Sequence, residues 1–281
     1  MIPIIHDLIE MALREDIGTG DITSESTIPD DVMSKAIIKS KDNGIVAGLD
    51  VAGEVFHKLD MSVDYKKLVS DGDRITNGQE IATADGKARS MLTAERTVLN
   101  FLQRLSGIAT TTSKYVKAIS GYHAQIIDTR KTTPGWRALE KYAVRVGGGR
   151  NHRFGLYDAV LIKDNHIAVA GSIIKAVAMA RERIPHTMKI EVETETLDQV
   201  LEAIESKADI IMLDNMSLEV MTEAVRLIAG KAIVEASGGI KFDSVVDVAK
   251  TGVDLISAGA LTNSAIPLDI SMDVIEMVHF S

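Results

Sequence analysis

The chain of 281 residues contains no cysteine, which excludes disulfide bonds, thiolate metal sites and a cysteine nucleophile. It also lacks low-complexity stretches, heptad repeats and solenoid repeats. No long apolar run opens the chain, because charged residues such as Asp7, Glu10 and Arg14 interrupt the helical pattern of residues 1–17. This pattern is neither a secretory signal nor a membrane span. We therefore expect a cytoplasmic protein with no membrane partner.

Positive charge is scarce overall but concentrated in one stretch. Lys and Arg number 31 against 40 Asp and Glu, which gives a net charge of −9. Between residues 128 and 163, however, there are eight Lys and Arg and only three acids. A cationic pocket in an anionic protein suits a small, multiply charged anion. Nucleic acid would need a basic surface and would be repelled by the overall charge, so we expect no nucleic-acid partner.

The hydrophobic pattern changes along the chain. From about residue 35 to 91, strand-like segments alternate with turn signals such as Asp71-Gly72-Asp73, which predicts a β-rich lobe. Leu92 to Leu105 has helical periodicity. From about residue 124, short apolar runs alternate with amphipathic helices, and this pattern predicts an open or closed β/α barrel. The six runs are Ala124–Ile127, Ala159–Ile162, Met188–Val192, Asp209–Leu213, Ala232–Val234 and Val253–Ile256.

Charged residues follow several of these runs, at the strand ends where β/α barrels build their active sites. The cations at these positions are Arg130, Lys131, His152, Arg153 and Lys163. Taken singly, each could be a solvated or ion-paired residue, and His152 could be a core histidine. Together they predict an anion pocket, because the planar Arg fork binds carboxylate or phosphate through two hydrogen bonds and Lys acts as a point charge.

Two acids, Glu193 and Asp214, follow consecutive runs beside these cations. One interpretation is that they only form ion pairs with the cations. The other is that they hold Mg²⁺, which takes one or two carboxylates and leaves its remaining positions to water and substrate oxygens. Glu191 and Glu235 also lie on predicted strands and could share this role, although a structural role suits Glu191 better.

Glycine-containing loops end the last two predicted strands, at Ser237-Gly238-Gly239 and Ala258-Gly259. Late-strand glycine loops of β/α barrels commonly bind phosphate through backbone N–H groups. Either loop alone could be an ordinary turn. Two such loops in succession predict a phosphate site.

With these residues in view, the chain resembles the quinolinate phosphoribosyltransferase family over essentially its whole length. The matching segments are Glu15–Asp21, Glu95–Thr110, Asp128–Gly135, Lys141–Arg145, Gly147–Arg153 and Leu161–His166. The resemblance implies an α/β fold, with an N-terminal open α/β sandwich at 1–103, completed by 267–281, and an incomplete (β/α) barrel at 104–266. It also implies a homodimer whose partner subunit covers the barrel mouth, and a higher oligomer is compatible with it.

The family resemblance further implies a reaction and a set of site residues. The reaction is phosphoribosyl transfer from 5-phosphoribosyl diphosphate to quinolinate with decarboxylation, giving nicotinate mononucleotide, diphosphate and CO2 in de novo NAD biosynthesis. It uses Mg²⁺ and no organic cofactor. By position, the resemblance implies that quinolinate binds to Arg130, His152, Arg153 and Lys163 with neighbouring Thr129, and to Arg96 of the partner subunit. It implies that the catalytic residues are Lys131, Glu193 and Asp214, of which Glu193 and Asp214 also bind the metal. The implied phosphate loops comprise Ser237, Gly238, Gly239, Ala258 and Gly259.

Two other functions stay open from the residues alone. Lys163 ends a predicted strand and could form a Schiff base in an aldolase or lyase acting on a phosphorylated sugar. The crowd of other cations on the same loops favours an anion site instead. A non-catalytic phosphosugar-binding protein is the third possibility. A molybdenum-linked paralogue shares the family's fold, and the intact Thr129–Thr132 and Asn151–Arg153 segments favour the quinolinate enzyme over it.

Overall fold

A computed structural model describes the backbone of residues 3–278 and the side chains of residues 4–274. Its internal contacts divide the chain into two units. One comprises the chain up to Ser113, residues 133–148, and the segment from Ala265 onward; the other comprises residues 114–132 and 149–264. The sequence-based boundary at 103/104 differs from this division mainly because residues 133–148 pack with the first unit.

An antiparallel sheet with the strand order β12-β1-β5-β3 organises the first unit. Its strands are β1 (Met33–Ser40), β3 (Asp64–Lys67), β5 (Glu80–Lys87) and β12 (Ile270–Val278). Half-exposed and buried residues alternate along the whole of β1, because successive side chains of a strand point to opposite faces. The last described strand, β12, pairs with β1, so the C-terminal segment completes this sheet as the resemblance implied. Residues 279–281 of the predicted segment lie outside the described residues.

Helices and two short strands complete the first unit. They are α1 (Pro3–Ile17), α2 (Ile22–Thr27), β2 (Gly44–Ile45), α3 (Leu49–Leu59), β4 (Arg74–Ile75), most of α4 (Ala88–Ala118) and α5 (Arg137–Val146). Helix α4 extends beyond the predicted Leu92–Leu105 window at both ends. Among the helices in the described part of the chain, none is both long enough and apolar enough to cross a membrane.

Parallel strands form the sheet of the second unit, in the order β6-β11-β10-β9-β8-β7. They are β6 (Gln125–Ile127), β7 (Val160–Ile162), β8 (Ile190–Thr194), β9 (Ile210–Asp214), β10 (Ile233–Ser237) and β11 (Leu255–Ser257). Each overlaps one of the six predicted apolar runs. The order begins at β6 and ends at β7, so the sheet does not close between them. The predicted α/β class with an incomplete barrel is confirmed.

Short helices follow the strands β7 to β11 of this sheet. They are α6 (Asp164–Ala170), α7 (Ile173–Arg183), α8 (Leu197–Glu205), α9 (Leu218–Ile228), α10 (Val245–Lys250) and α11 (Ala260–Asn263). Three of them begin at a capping hydroxyl, from Ser172, Thr196 or Ser217, that accepts a hydrogen bond from a backbone N–H of the first turn. Because all six strands run in the same direction, their C-terminal ends lie at one edge of the sheet.

Candidate active site

A cavity of roughly 440 Å³ opens at the C-terminal ends of the barrel strands. Its lining comprises Thr129, Arg130, Lys131, His152, Arg153, Leu161, Lys163, Glu193, Met212, Asp214, Asn215, Glu235, Ser237, Gly238, Gly239 and Ser257. The structure thus brings together the predicted site residues of the second unit, apart from Ala258 and Gly259. Met212 was not singled out from the sequence, because nothing in its residue type marks it as a site residue. Leu161 and Ser257 lay in segments that the sequence indicated, but neither was given a role of its own.

The first unit contributes one predicted residue, Arg96, which lies at an exposed position of α4. Its near neighbours Val98 and Leu99 are buried. The helix therefore turns its apolar side toward the unit's interior, and the Arg96 side chain faces solvent.

Two arginines, Arg130 and Arg153, form the cationic centre of the cavity. The Nε atom of each is buried and has no hydrogen-bond partner among the described residues. Arg153 Nη1 donates to the Ala159 carbonyl oxygen at 3.0 Å. Burial, and secondly the nearby Arg130 cation, lower the Arg153 pKa, while Glu191 and Asp158 oppose this shift. Because a guanidinium stays charged in proteins, this pair of like charges favours an anion at the same place.

Lys131 lies on the loop after β6, where its backbone is tied to the next predicted loop. Thr262 Oγ1 donates to the Lys131 carbonyl oxygen at 2.8 Å. A Cβ added to Gly259 would lie 3.0 Å from Lys131 Cδ, so this glycine leaves room for the lysine side chain. Ala258 is buried, and its N–H donates to Ile127. Ala258 and Gly259 therefore support the Lys131 loop from behind the cavity wall.

The acids of the site differ in their partners. Glu193, on β8, forms an ion pair with Lys163 Nζ, so the ion-pairing interpretation describes the contact that this glutamate makes here. Asp214, the last residue of β9, accepts a hydrogen bond from Asn215 Nδ2 at 2.7 Å. The strands that carry them are neighbours. Two carboxylates from adjacent strands at the same edge fit the hard oxygen ligands of Mg²⁺, with Asp214 the less engaged of the two.

The loop Ser237-Gly238-Gly239 packs directly against Asn215. Gly238 has φ +87°, and a Cβ on it would lie 2.4 Å from Asn215 Oδ1, so no other residue fits there. Asn215 itself adopts a left-handed φ of 54°, which is uncommon for a residue other than glycine. The N–H groups of Gly238 and Gly239 donate to no other described residue. They are available to phosphate oxygens.

Asp128, fully buried at the end of β6, holds the segment that carries His152. Its carboxylate accepts from the His152 N–H at 2.9 Å and from Asn151 Nδ2 at 2.6 Å. His152 Nε2 in turn lies 3.0 Å from Glu191 Oε2. Asp128 belonged to a matching segment, but no role could be given to it from the sequence because its partners are more than 20 positions away in the chain.

Two family models match the chain, one for the N-terminal and one for the C-terminal domain of quinolinate phosphoribosyl transferase, over residues 21–106 and 108–273. The chain belongs to the quinolinate phosphoribosyl transferase family. A relative from Bacillus subtilis, named a probable nicotinate-nucleotide pyrophosphorylase [carboxylating], is 49% identical over 270 residues, which cover 96% of this chain and 93% of the relative. A Synechocystis protein of the same name is 46% identical over 97% of this chain and 93% of its own length.

Solved structures of family members agree with the fold described above. The crystal structure of NadC from Streptococcus pyogenes has a TM-score of 0.94 and 44% identity, covering 100% of this chain and 99% of that one. The structure of the nicotinate-nucleotide pyrophosphorylase from Francisella tularensis has a TM-score of 0.94 and 46% identity, covering 98% of each chain. The resemblance inferred from the sequence motifs is therefore confirmed at the level of the family and of the whole fold.

Proposed function

We propose that this member of the quinolinate phosphoribosyl transferase family transfers the phosphoribosyl group of 5-phosphoribosyl diphosphate to quinolinate, with loss of CO2. The observation that carries the proposal is the pair of half-buried arginines, Arg130 and Arg153, each with a buried and unpartnered Nε, in the cavity that also holds carboxylates and two glycine N–H donors. Quinolinate has adjacent carboxylates and the second substrate is a polyanion. Binding both requires concentrated positive charge, and the products place the enzyme in de novo NAD biosynthesis.

The residues divide the cavity between the two substrates. Arg130 and Arg153 bind the carboxylates of quinolinate, supported by Lys163, His152 and Thr129. The loop at Ser237–Gly239 faces the phosphates of the second substrate, Ala258 and Gly259 support the Lys131 loop, and Lys131 lies between the two substrates. Glu193 and Asp214 would hold Mg²⁺, and the ion would supply positive charge to the diphosphate end of the cavity. In this assignment Lys163 exchanges its Glu193 partner for a substrate carboxylate.

The protein's chemical task is to position the substrates and to stabilise charge. The C1′–O bond to diphosphate breaks and its electron pair leaves with the diphosphate, while the pyridine nitrogen lone pair forms the new bond to C1′. The ring nitrogen becomes cationic. The C2–carboxylate bond then breaks, CO2 departs, and a proton takes its place on C2. Because the cationic nitrogen stabilises the developing carbanion, no organic cofactor is required, and the cavity needs only to hold both substrates in place.

An assay of quinolinate consumption tests this proposal directly. We expect consumption to require both 5-phosphoribosyl diphosphate and Mg²⁺, and to yield one nicotinate mononucleotide, one diphosphate and one CO2 per quinolinate. Nicotinate in place of quinolinate is the matched control, since it lacks the carboxylate that leaves as CO2. Quinolinate left unchanged by pure, folded protein with both additions present would reject the proposed reaction.

The alternative functions receive less support. A Schiff-base lysine must present a neutral amine, whereas Lys163 makes the ion pair of an ammonium cation with Glu193. Borohydride trapping with a phosphorylated sugar separates this alternative from the proposal. A non-catalytic phosphosugar-binding role would be excluded by turnover of quinolinate.

We further propose that the chain acts as a cytoplasmic homodimer in which Arg96 completes the partner's active site. Arg96 is exposed on α4, and the family resemblance places this residue across the subunit interface. The absence of cysteine is compatible with a reducing compartment. We propose no nucleic-acid or membrane partner.

Mixing two inactive variants tests the shared site. Arg96→Ala and Arg130→Ala are each expected to be weak alone. In a mixed dimer, one barrel keeps Arg130 and receives an intact Arg96, while the other barrel lacks both. Since random reassortment makes about half of the dimers mixed and one site in two then works, activity should recover to roughly a quarter of wild type.

Differently tagged subunits verify the exchange, and each variant incubated alone is the control. If activity stays at the level of the single variants although tagged mixed dimers are recovered, Arg96 does not act across an interface.

A further inference from the structure

Three ionisable side chains lie close together inside the barrel, and two of them, His152 and Glu235, also line the cavity. His152, Glu191 and Glu235 have ring or carboxylate atoms within 4.8 Å of one another. Glu191 is on β8 and Glu235 on β10, and they are only 3% and 1% exposed. One oxygen of each carboxyl group, Oε1, is buried with no hydrogen-bond partner among the described residues. We refer to these three residues as the floor cluster.

His152 uses both ring nitrogens within the protein. Its Nε2 lies 3.0 Å from Glu191 Oε2 and 3.7 Å from Glu235 Oε2. Its Nδ1 accepts a hydrogen bond of 2.7 Å from the backbone N–H of Arg153. A nitrogen that accepts this bond carries no proton, and a nitrogen facing a carboxylate oxygen donates one. The hydrogen-bond partners therefore assign His152 as the neutral imidazole with its proton on Nε2.

A metal ion would suit the geometry of the floor cluster but not its charge. The Arg153 guanidinium lies within electrostatic range of Glu191 and of the Arg130 cation. A divalent cation in the cluster would add charge beside two fixed positive groups and would displace the proton from His152 Nε2. Burial, and secondly the neighbouring Glu191, raise the Glu235 pKa well above its usual range.

We propose that Glu191 is a positioning residue for quinolinate binding, because it fixes the His152 tautomer whose bare Nδ1 holds the backbone of Arg153. This inference rests on the proposed function of the cavity. With the proton on Nδ1 instead, two N–H groups would point at each other across 2.7 Å, and the Arg153 backbone would have to move. Glu191 prevents this, since its carboxylate accepts from Nε2. In this proposal the buried carboxylate of Glu191 fixes, through His152, the backbone position of the cationic residue Arg153.

The position of Arg153 is sensitive to this arrangement. Besides the backbone contact with His152, Arg153 donates a hydrogen bond from its guanidinium Nη1 to the Ala159 carbonyl oxygen. Its Nε has no partner among the described residues, so we expect this atom to bind the substrate. A displacement of about 1 Å at a substrate-positioning group can cost on the order of 100-fold in rate. Removing the acceptor should therefore weaken quinolinate binding and leave binding of 5-phosphoribosyl diphosphate nearly unchanged, because the side-chain interactions of Glu191 in the described structure are with His152, Glu235 and Arg153.

Two variants of Glu191 separate positioning from general destabilisation. Glu191→Leu removes the acceptor, and we expect the KM for quinolinate to rise about 10- to 100-fold with the KM for 5-phosphoribosyl diphosphate within about twofold of wild type. Glu191→Gln keeps an acceptor oxygen and should recover most of the quinolinate affinity. Thr194→Val is the matched control, because it removes a different buried hydrogen bond from the same strand, the one to the Met212 carbonyl oxygen.

Nitrogen-15 NMR of the histidine rings reads the tautomer itself, with the His152 signals assigned by their loss in His152→Gln. We expect a protonated Nε2 and a bare Nδ1 in the wild-type protein. A wild-type His152 that carries its proton on Nδ1, or on both nitrogens, would overturn the inference even if Glu191→Leu fails to fold. Equal changes in both KM values would do the same. Absence of quinolinate turnover in the wild type would instead reject the proposed function, and the NMR result would still stand.

Discussion

Alanine at Arg130 or Arg153 is expected to lower kcat/KM for quinolinate by roughly 30- to several-thousand-fold, which corresponds to about 2–5 kcal/mol. Both guanidinium groups have a buried Nε without a hydrogen-bond partner in the described structure, so we expect each to bind an anion. Truncating one leaves a substrate carboxylate desolvated and only partly paired. The protein should stay folded, because neither side chain belongs to the apolar core.

Steady-state kinetics together with thermal unfolding measure this effect. Arg130→Lys is an informative companion variant, because a single ammonium keeps the charge but loses the two-pronged hydrogen bonding of the guanidinium, and we expect an intermediate loss. Arg181→Ala is the control, since Arg181 is a partly exposed arginine that pairs with Asp209 away from the cavity. A stably folded Arg130→Ala that retains more than about half of the wild-type kcat/KM would rule out the dicarboxylate assignment.

The architecture of the second unit could be predicted because its signal is local. Each short apolar run of the sequence overlaps one parallel strand of the structure. The residues that follow these runs lie at the same edge of the sheet, because the strands of β/α units run in the same direction. The same geometry predicts that Arg130, Lys163 and Asp214 share one cavity, and all three line it. The exact bounds were less predictable. Strand β8, for example, extends to Thr194 and so includes Glu193.

Helix α4 illustrates where local signals end. Beyond Leu105 the sequence turns to residues that favour helix interiors less, such as Ser106, Gly107 and Thr110. In the structure, Ser106 Oγ and Thr110 Oγ1 accept hydrogen bonds from the backbone N–H groups of Ala47 and Ile45. A Cβ on Gly107 would lie 2.2 Å from the Ile266 carbonyl oxygen. Tertiary contacts between distant segments therefore sustain this helix, and no local pattern contains them.

The assignment of residues 133–148 to the first unit also depends on contacts between distant segments. Residues 133–148 lie between two strand-like runs of the barrel, yet they pack with the first unit. Buried Glu140 accepts from Arg104 Nη2 at 2.8 Å, and the Tyr142 hydroxyl donates to Asp71 at 2.6 Å. Both partners lie more than 35 positions away in the chain. Only folded coordinates reveal such pairs.

Within the site, residue types were predictable but their partners were not. The motif around His152 indicated a role in anion binding, whereas its ring contacts with Glu191 and with the Arg153 backbone required the structure. The sequence left ion pairing open for both Glu193 and Asp214. The structure distinguishes them, since Glu193 forms an ion pair with Lys163, whereas Asp214 accepts a hydrogen bond from the side chain of Asn215.

Removal of Mg²⁺ is expected to lower the turnover rate by about two orders of magnitude or more, while leaving quinolinate binding largely intact. The reason is the division of charge in the cavity. In the proposed assignment the dicarboxylate binds on the side of Arg130 and Arg153, whereas the acids that fit Mg²⁺, Glu193 and Asp214, lie at the C-terminal ends of neighbouring strands. Chelation therefore withdraws the positive charge that serves the diphosphate and spares the charge that serves quinolinate.

Asp214→Asn should raise the Mg²⁺ concentration needed for half-maximal activity, because an amide keeps one oxygen but loses the charge that attracts the ion. Titration of activity against Mg²⁺ measures this shift, and Asp198→Asn, at an exposed acid in the first turn of α8, is the control. Calorimetry of quinolinate binding with and without EDTA tests whether quinolinate and the Mg²⁺-bound diphosphate occupy separate ends of the cavity. If quinolinate binds only in the presence of Mg²⁺, the two substrates do not occupy separate ends of the cavity, and the carboxylates of Glu193 and Asp214 must serve quinolinate through the ion as well.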